Sequence, residues 1–475
     1  MTYEIGRAAR ALALRDRPGY RCRRQRRERR RDIGNPLQPT LAQIADHERL
    51  LETLNVLRAT SGTAPGPDGV TYDDIGRSEA AQIMRDLSRE LLERTYAPSM
   101  ARLAQIPKPN GRGHRVLRIR SIVNRVVAAS LNEALTPVWE QIFLDRSCGF
   151  RPGRGTWDLL LDLEQTMFEE DRYVVAQDDV DHAFDNVNVG DAMGDHRRYI
   201  ADPGVLWLVE TLLRGHPSEQ RTVGIDQGMA YSPTVLNARL HYVLDIPFSA
   251  DSANPPWYRY ADNVVYLGRS VSEGNQAVQT ASQLLQAAGF SLKGEHQPVD
   301  LRENGASAEL LGFRLSLRNK QVRYGLSGAA WDSLRDGLGG TWETTDPSSN
   351  VIQFIRGWIS SWGPAFEKES EKPFVDRTLR EAAEMGFREI SRESIRQWMQ
   401  RSRDRWREAK ATRQRLREET VSMLAGPPAP ADQTARFDGR DLLPPESETA
   451  PEVEVLFEID DLQRLNRLDI ERTDA

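Results

Sequence analysis

WYRYADNVVYLGR, residues 257–269, decides how this chain is read. An aromatic run leads into Ala-Asp-Asn, and an apolar run, VVYLG, leads out. Two short runs rich in Val, Tyr and Trp around a polar break read as a β-hairpin with an acid at its tip. Asp262 is that acid, and Asn263 follows it. A second acid at the end of an apolar run lies upstream: YVVAQDDVDHAF (173–184) starts as a buried strand and reaches Asp179. Either acid alone says little, because an Asp after an apolar run is more often a turn or cap residue. Their worth depends on what surrounds them.

Composition sets the bounds. The chain has 475 residues, 39% hydrophobic and 28% charged, enough for about two to four structural units. No run of about 18 apolar residues occurs, so no transmembrane helix and no membrane partner is expected. The N-terminus has no apolar signal core. Cys22 and Cys148 are the two cysteines and have no CxxC spacing. This argues against a disulfide framework or zinc site and for a reducing cytoplasm. The net charge of −6 conceals an asymmetry. From Gly426 onward 13 acidic residues face 5 basic ones, so the rest of the chain sums to +2. Within it RCRRQRRERRRD (21–32) sets eight arginines against two acids, an electrostatic footprint for phosphate. Arg23, Arg24, Arg26, Arg27, Arg29, Arg30 and Arg31 are its candidate nucleic-acid contacts.

Along the chain, Thr40 and Gln43 read as a capping box opening an amphipathic helix with Leu41, Ile44, Leu51, Leu54 and Leu57 on one face. SGTAPGPDGV (61–70) is a loop. LAQIPKPNGRGHRVLRI reads as two strands around a turn, 121–145 and 274–289 as helices, PTVLNARLHYVLD (233–245) as an apolar helix, and LLGFRLSL (310–317) as a strand. From about 330 to 425 the pattern is helical and rich in Trp and Arg; GPPAPADQ (426–433) then breaks it. Helices alternating with acid-bearing strands predict an α+β fold.

Taken in order, these segments resemble bacterial reverse transcriptases related to group II intron-encoded proteins, over roughly residues 50–410. The resemblance rests on GPDGVTYDDI (66–75), IPKPNGRGHRVLRI (106–119), SIVNRVVAASLNEALTPVWEQIF (121–143), SCGFRPGRGTWDLL (147–160), DVDHAFDNV (179–187), QGMAYSP (227–233), YADN (260–263), LLGF (310–313) and IRGWISSWG (355–363). It implies a right-hand polymerase fold: a basic arm (1–39), an N-terminal extension and fingers (40–172), a palm of antiparallel sheet and helices (173–325), an α-helical thumb (326–425) and an acidic tail (426–475). It implies an RNA-directed DNA polymerase using two Mg²⁺ ions, with Mn²⁺ able to substitute. RNA template, dNTPs and DNA product would be its partners. The template would be a non-coding RNA, and the setting bacterial anti-phage defence. A splicing maturase is the alternative, with a repair or spacer-acquisition polymerase as a third option, and self-association into a homo-oligomer is left open. Asp179 and Asp262 would hold the metals together with the Val180 carbonyl. Lys108 and Arg115 would clamp the triphosphate, Phe184 would be the steric gate against a 2′-OH, and Gln227 and Gly228 would pack under the nucleotide.

The sequence departs from the family at two places in the site. Asn263 stands where the family has a second hairpin acid, removing one charge from the catalytic set Asp179, Asp262, Asn263. Asp181 would share the face of Asp179 if its strand continued. The family's leaving-group lysine falls at His296, with Lys293 nearby, so both are candidate general acids. NARLH (237–241) superficially matches a retron signature; its place inside the helix of the QGMAYSP block reads as coincidence.

Overall fold

The computed structural model describes residues 37–62, 64–107, 114–294, 296–342, 346–368 and 371–425. The basic run 21–32, Lys108 and the acidic tail from Gly426 lie outside the described residues.

Among the described residues, three antiparallel sheets organise the fold. A two-stranded ribbon pairs β1 (Arg102–Pro107) with β2 (His114–Ile119). A four-stranded sheet has the order β4 (Trp257–Tyr260), β5 (Asn263–Gly268), β3 (Val174–Asp179), β6 (Val299–Asp300). A three-stranded meander joins β7 (Ala308–Leu310), β8 (Phe313–Arg318) and β9 (Gln321–Leu326). The mixed helix and antiparallel sheet make the fold α+β.

The four-stranded sheet is buried on both faces, and its period-two alternation sorts residues between two cores. Ala176, Val264 and Tyr266 join the first core. It is filled by α1 (Leu41–Ile44), α2 (His47–Thr60), α3 (Arg77–Leu92), α4 (Ile122–Ile142), α6 (Val189–Arg197), α7 (Pro203–Arg214), α8 (Ser232–Leu240), α9 (Ile246–Ala250) and α10 (Val271–Ala287). Val175, Val265 and Leu267 join the second core with α5 (Thr156–Glu170), the meander, α11 (Gly328–Thr341), α12 (Pro347–Ser360), α13 (Glu371–Glu384) and α14 (Arg392–Ala425). One strand pair thus ties both halves of the core to the carboxyl end of β3.

Three local departures from the sequence reading have physical causes. The helix opened by the Thr40–Gln43 capping box stops after one turn; Asp46 caps a second helix by accepting the Arg49 N–H (2.9 Å). LLGF is not one strand but the turn of a hairpin, because Leu311 and Gly312 adopt φ of +50° and +83°. The apolar helix 233–245 widens into a π turn at His241–Asp245, where the Ile246 N–H donates to the His241 carbonyl. Pro247 follows and has no N–H to give the carbonyl one turn back, so the backbone loosens there. Among the described residues no helix is long and apolar enough to cross a membrane.

Candidate active site

β3 ends at Asp179, which stands directly opposite Asn263 on β5. The β4–β5 hairpin turns through Ala261 and Asp262, and the Val180 N–H donates to the Asp262 carbonyl (2.9 Å). The ladder thereby brings the two aspartates to one edge of the sheet, although 83 positions of chain separate them. The Asp179 carboxylate is partly exposed and holds the Lys293 ammonium on Oδ2 at 2.7 Å. The Lys293 N–H also donates to the Asp179 carbonyl (3.0 Å).

Asp178 points to the opposite face and is buried. Its carboxylate accepts the N–H of Asp179 (2.8 Å) and of Gly294 (2.9 Å). Burial pushes its pKa up, and these two bonds pull back against the rise. Consecutive acids therefore grip the Lys293–Gly294 loop from both sides of the strand. His296 lies on the Asp178 side, lining a cavity of about 500 Å³ with Gln279, Ser282 and Gln283 of α10.

Asp181 is not carried along with Asp179. The strand ends first: the Asp181 N–H donates to the Ser291 carbonyl, and its carboxylate lies 3.7 Å from His182. The shared face expected from a continuing strand does not form. Among the described residues no group of three or more His, Cys, Asp and Glu side chains is arranged to hold a metal ion. The edge carries two aspartates, Asp179 and Asp262, and the amide residue Asn263. Hard oxygen donors of this kind suit Mg²⁺ or Mn²⁺, which keep several water ligands, and not a softer ion.

The nucleotide-binding candidates sit on the adjoining turns. Phe184 is half-buried against the first core, and its carbonyl accepts the Ile225 N–H (2.9 Å). Gly228 has φ +100°, and a Cβ there would meet nothing within 4 Å. Glycine is thus required by the backbone conformation, and open space lies above it. Gln227 beside it is partly exposed. Arg115 stands opposite Ile106 on the β1–β2 ladder.

Asp226 escaped the sequence reading. It is fully buried and meets Arg120 Nε (2.5 Å), the Arg221 guanidinium (2.5 Å) and Arg118 Nε (3.6 Å). The Arg118 N–H donates to the Gln227 carbonyl (3.4 Å). The ribbon strand β2 and the Gln-Gly turn are therefore joined through one carboxylate. Arg118 and Arg120 alternating along HRVLRIR were the available signal, since an arginine such as Arg120 does not enter the interior without an acid.

Residues 106–296 match the family described as reverse transcriptase (RNA-dependent DNA polymerase). Protein YkfC of Escherichia coli K12 is 31% identical over 252 residues, 50% of this chain and 64% of that protein. The group II intron-encoded protein LtrA of Lactococcus lactis subsp. cremoris is 26% identical over 206 residues, 41% of this chain and 34% of LtrA. The chain therefore spans less than two thirds of either relative. On these matches residues 106–296 are a reverse-transcriptase domain, and the chain is related to group II intron-encoded proteins.

Proposed function

We propose that this chain is an RNA-directed DNA polymerase that adds dNTPs by a two-metal mechanism. The observation that carries the proposal is the β3–β5 register, which sets Asp179 and the Asp262 turn side by side at a partly exposed edge. Asp179 and Asp262 would hold the ions, with the Val180 carbonyl as a further ligand. When bound, two divalent ions supply activation of the attacking 3′-hydroxyl and charge neutralisation on the triphosphate.

The chain's own residues do the rest. Lys293, beside Asp179, would donate a proton to the departing pyrophosphate; His296 lines the cavity on the Asp178 side. Phe184 would close the space a 2′-OH needs, and the open space above Gly228 would admit the nucleotide. By resemblance, Lys108 and Arg115 would clamp the triphosphate, the arginine's guanidinium fork matching phosphate oxygens. In this reading the β1–β2 ribbon belongs to the fingers, the four-stranded sheet to the palm, and α11–α14 to the thumb. Arg401, Arg405 and Arg407 of α14 are exposed, and they and the arginines of 21–32 would contact the RNA backbone.

For the biological role we propose, on resemblance alone, bacterial defence with a non-coding RNA as template. The relative named as an intron-encoded protein favours a second reading, a maturase that binds intron RNA. Sequencing the RNA that co-purifies with the protein, and any DNA made on it, separates them. A short discrete RNA copied into DNA supports the first; intron RNA bound without DNA product supports the second and contradicts the first.

A further inference from the structure

Arg259 is an arginine in an otherwise apolar strand, and its side chain is completely buried. It grips the Asp245 carboxylate with two bonds (2.9 and 2.6 Å). Its remaining terminal nitrogen donates both to the Asn237 side-chain oxygen (2.8 Å) and to the Ala261 carbonyl (2.9 Å). The Asn237 amide nitrogen in turn donates to the Gly149 carbonyl (2.8 Å). Asn237 and Asp245 are themselves buried. The π turn explains how one helix supplies both. From residue 241 to 245 a regular helix would rotate Asp245 further round the axis, whereas the wider turn swings it back into line with Asn237.

The hub converges on the turn that carries Asp262. Ala261 is held by its carbonyl, in a left-handed conformation (φ +57°) that a non-glycine residue rarely adopts. Gly149 lies so close that a Cβ there would come within 2.2 Å of the Ala261 nitrogen. The Arg259 backbone is pinned as well, by the Arg146 carbonyl (2.9 Å) and the Cys148 N–H (2.7 Å). A buried ion pair is a poor way to gain stability, since apolar side chains of similar volume do as well or better. What it supplies is a fixed direction.

We infer that Asn237 and Arg259 are positioning residues. Through the Ala261 carbonyl and the Gly149 loop they set the place of Asp262 opposite Asp179, and so govern divalent-ion affinity and turnover while leaving nucleotide affinity nearly unchanged. This rests on the polymerase reading for turnover; the metal-binding part stands apart from it.

The test uses the full chain with Asn237→Ala, Asn237→Asp and Arg259→Lys. Asn237→Asp keeps an acceptor for Arg259 and loses only the donor to Gly149; Arg259→Lys keeps the charge and cannot reach all three partners. Three quantities are read: Mn²⁺ affinity by electron paramagnetic resonance, kcat and KM for dNTP incorporation, and thermal unfolding to select the folded variants. Expected in folded variants are Mn²⁺ affinity weakened at least fivefold, kcat lowered 10- to 100-fold and KM for dNTP within threefold of wild type. Folded Asn237→Asp and Arg259→Lys with wild-type Mn²⁺ affinity overturn the inference, whatever the activity. A wild-type protein that binds Mn²⁺ and incorporates no nucleotide overturns the polymerase reading instead, and the Mn²⁺ comparison still decides this one. If only Asn237→Ala fails to fold, Asn237→Asp decides.

Discussion

Asn263 and Asp179 are direct partners across the β3–β5 ladder, with side chains on the same face of the sheet. An acid at position 263 would put two carboxylates in opposition, and like charges directly opposite destabilise an antiparallel pair. Asn263→Asp is expected to lower metal-free stability by about 0.5 kcal/mol and to reduce the Mg²⁺ concentration for half-maximal incorporation several-fold. Thermal unfolding without metal, beside a Mg²⁺ titration of activity, checks both. An unchanged Mg²⁺ requirement would mean that position 263 takes no part in the metal site.

In the proposed mechanism Lys293 and His296 are the two candidate proton donors, and they stand on different sides of the strand. Lys293 contacts Asp179, whereas His296 lines the cavity beyond Asp178. General acids contribute about 10²–10⁴-fold. Lys293→Ala is therefore expected to lower kcat at saturating metal by roughly 100-fold, and His296→Ala by less than threefold. The reverse order in single-turnover measurements would return the role to His296. The Lys293–Asp179 contact is partly exposed, so its loss should change stability by about 1 kcal/mol or less.

Gly149→Ala tests how tightly the Asp262 turn is held. The added methyl would collide with backbone, which cannot step aside as a flexible side chain could. A displacement of about 1 Å at a reacting centre costs on the order of 100-fold in rate, and a loss of that size is expected. Gly194→Ala in α6 is the control: a Cβ there meets nothing within 4 Å. That change should leave activity intact and stabilise the helix by about 0.5–1 kcal/mol. Equal activity in the two variants would show that the turn is not constrained by Gly149.

His196 makes stability depend on pH. Its Nδ1 lies 2.6 Å from the Ala192 carbonyl and its Nε2 2.6 Å from the Tyr231 hydroxyl, so a neutral ring satisfies both. Burial lowers its pKa to about 4, against an ordinary value near 6.5 in the unfolded chain. Between those values the unfolded state binds the extra proton, so stability rises with pH through this window and is lost on acidification. At pH 5 the loss from this residue is about 2 kcal/mol. Denaturant unfolding of wild type and His196→Gln at pH 7.5 and pH 5 should show a pH dependence smaller by that amount in the variant. Parallel behaviour would assign the acid sensitivity to other groups.

How much of this was legible in the sequence follows from where the information resides. The hairpin 257–268 and the strand ending at Asp179 announce themselves as short β-branched and aromatic runs bounded by polar residues, and their pairing follows once both acids must share an edge. The α+β class and the β1–β2 ribbon were legible for the same reason. Asn237, Asp245 and Arg259 were not, because polar residues inside apolar runs gain meaning only through partners distant in the chain. Arg259 between two tyrosines was the visible anomaly, since an arginine does not enter a buried strand without an acid. The π turn was hidden because apolar periodicity over 13 residues tolerates one extra residue per turn. The early stop after α1 turned on a single capping contact at Asp46, and the LLGF turn on two positive φ angles. Asp181 failed as a neighbour of Asp179 because the strand ends at Asp179, two residues before the alternation could carry it.

The most direct measurement is nucleotide incorporation by purified protein with its bound RNA, supplied with labelled dNTPs and Mg²⁺, then Mn²⁺, beside Asp179→Ala/Asp262→Ala. DNA synthesis by the wild type that the double substitution abolishes, with the fold retained, is the expected result; it would show that two carboxylates and Asn263 suffice. No synthesis with either metal, from folded protein carrying a discrete RNA, would contradict the polymerase reading and leave an RNA-binding protein on a reverse-transcriptase scaffold.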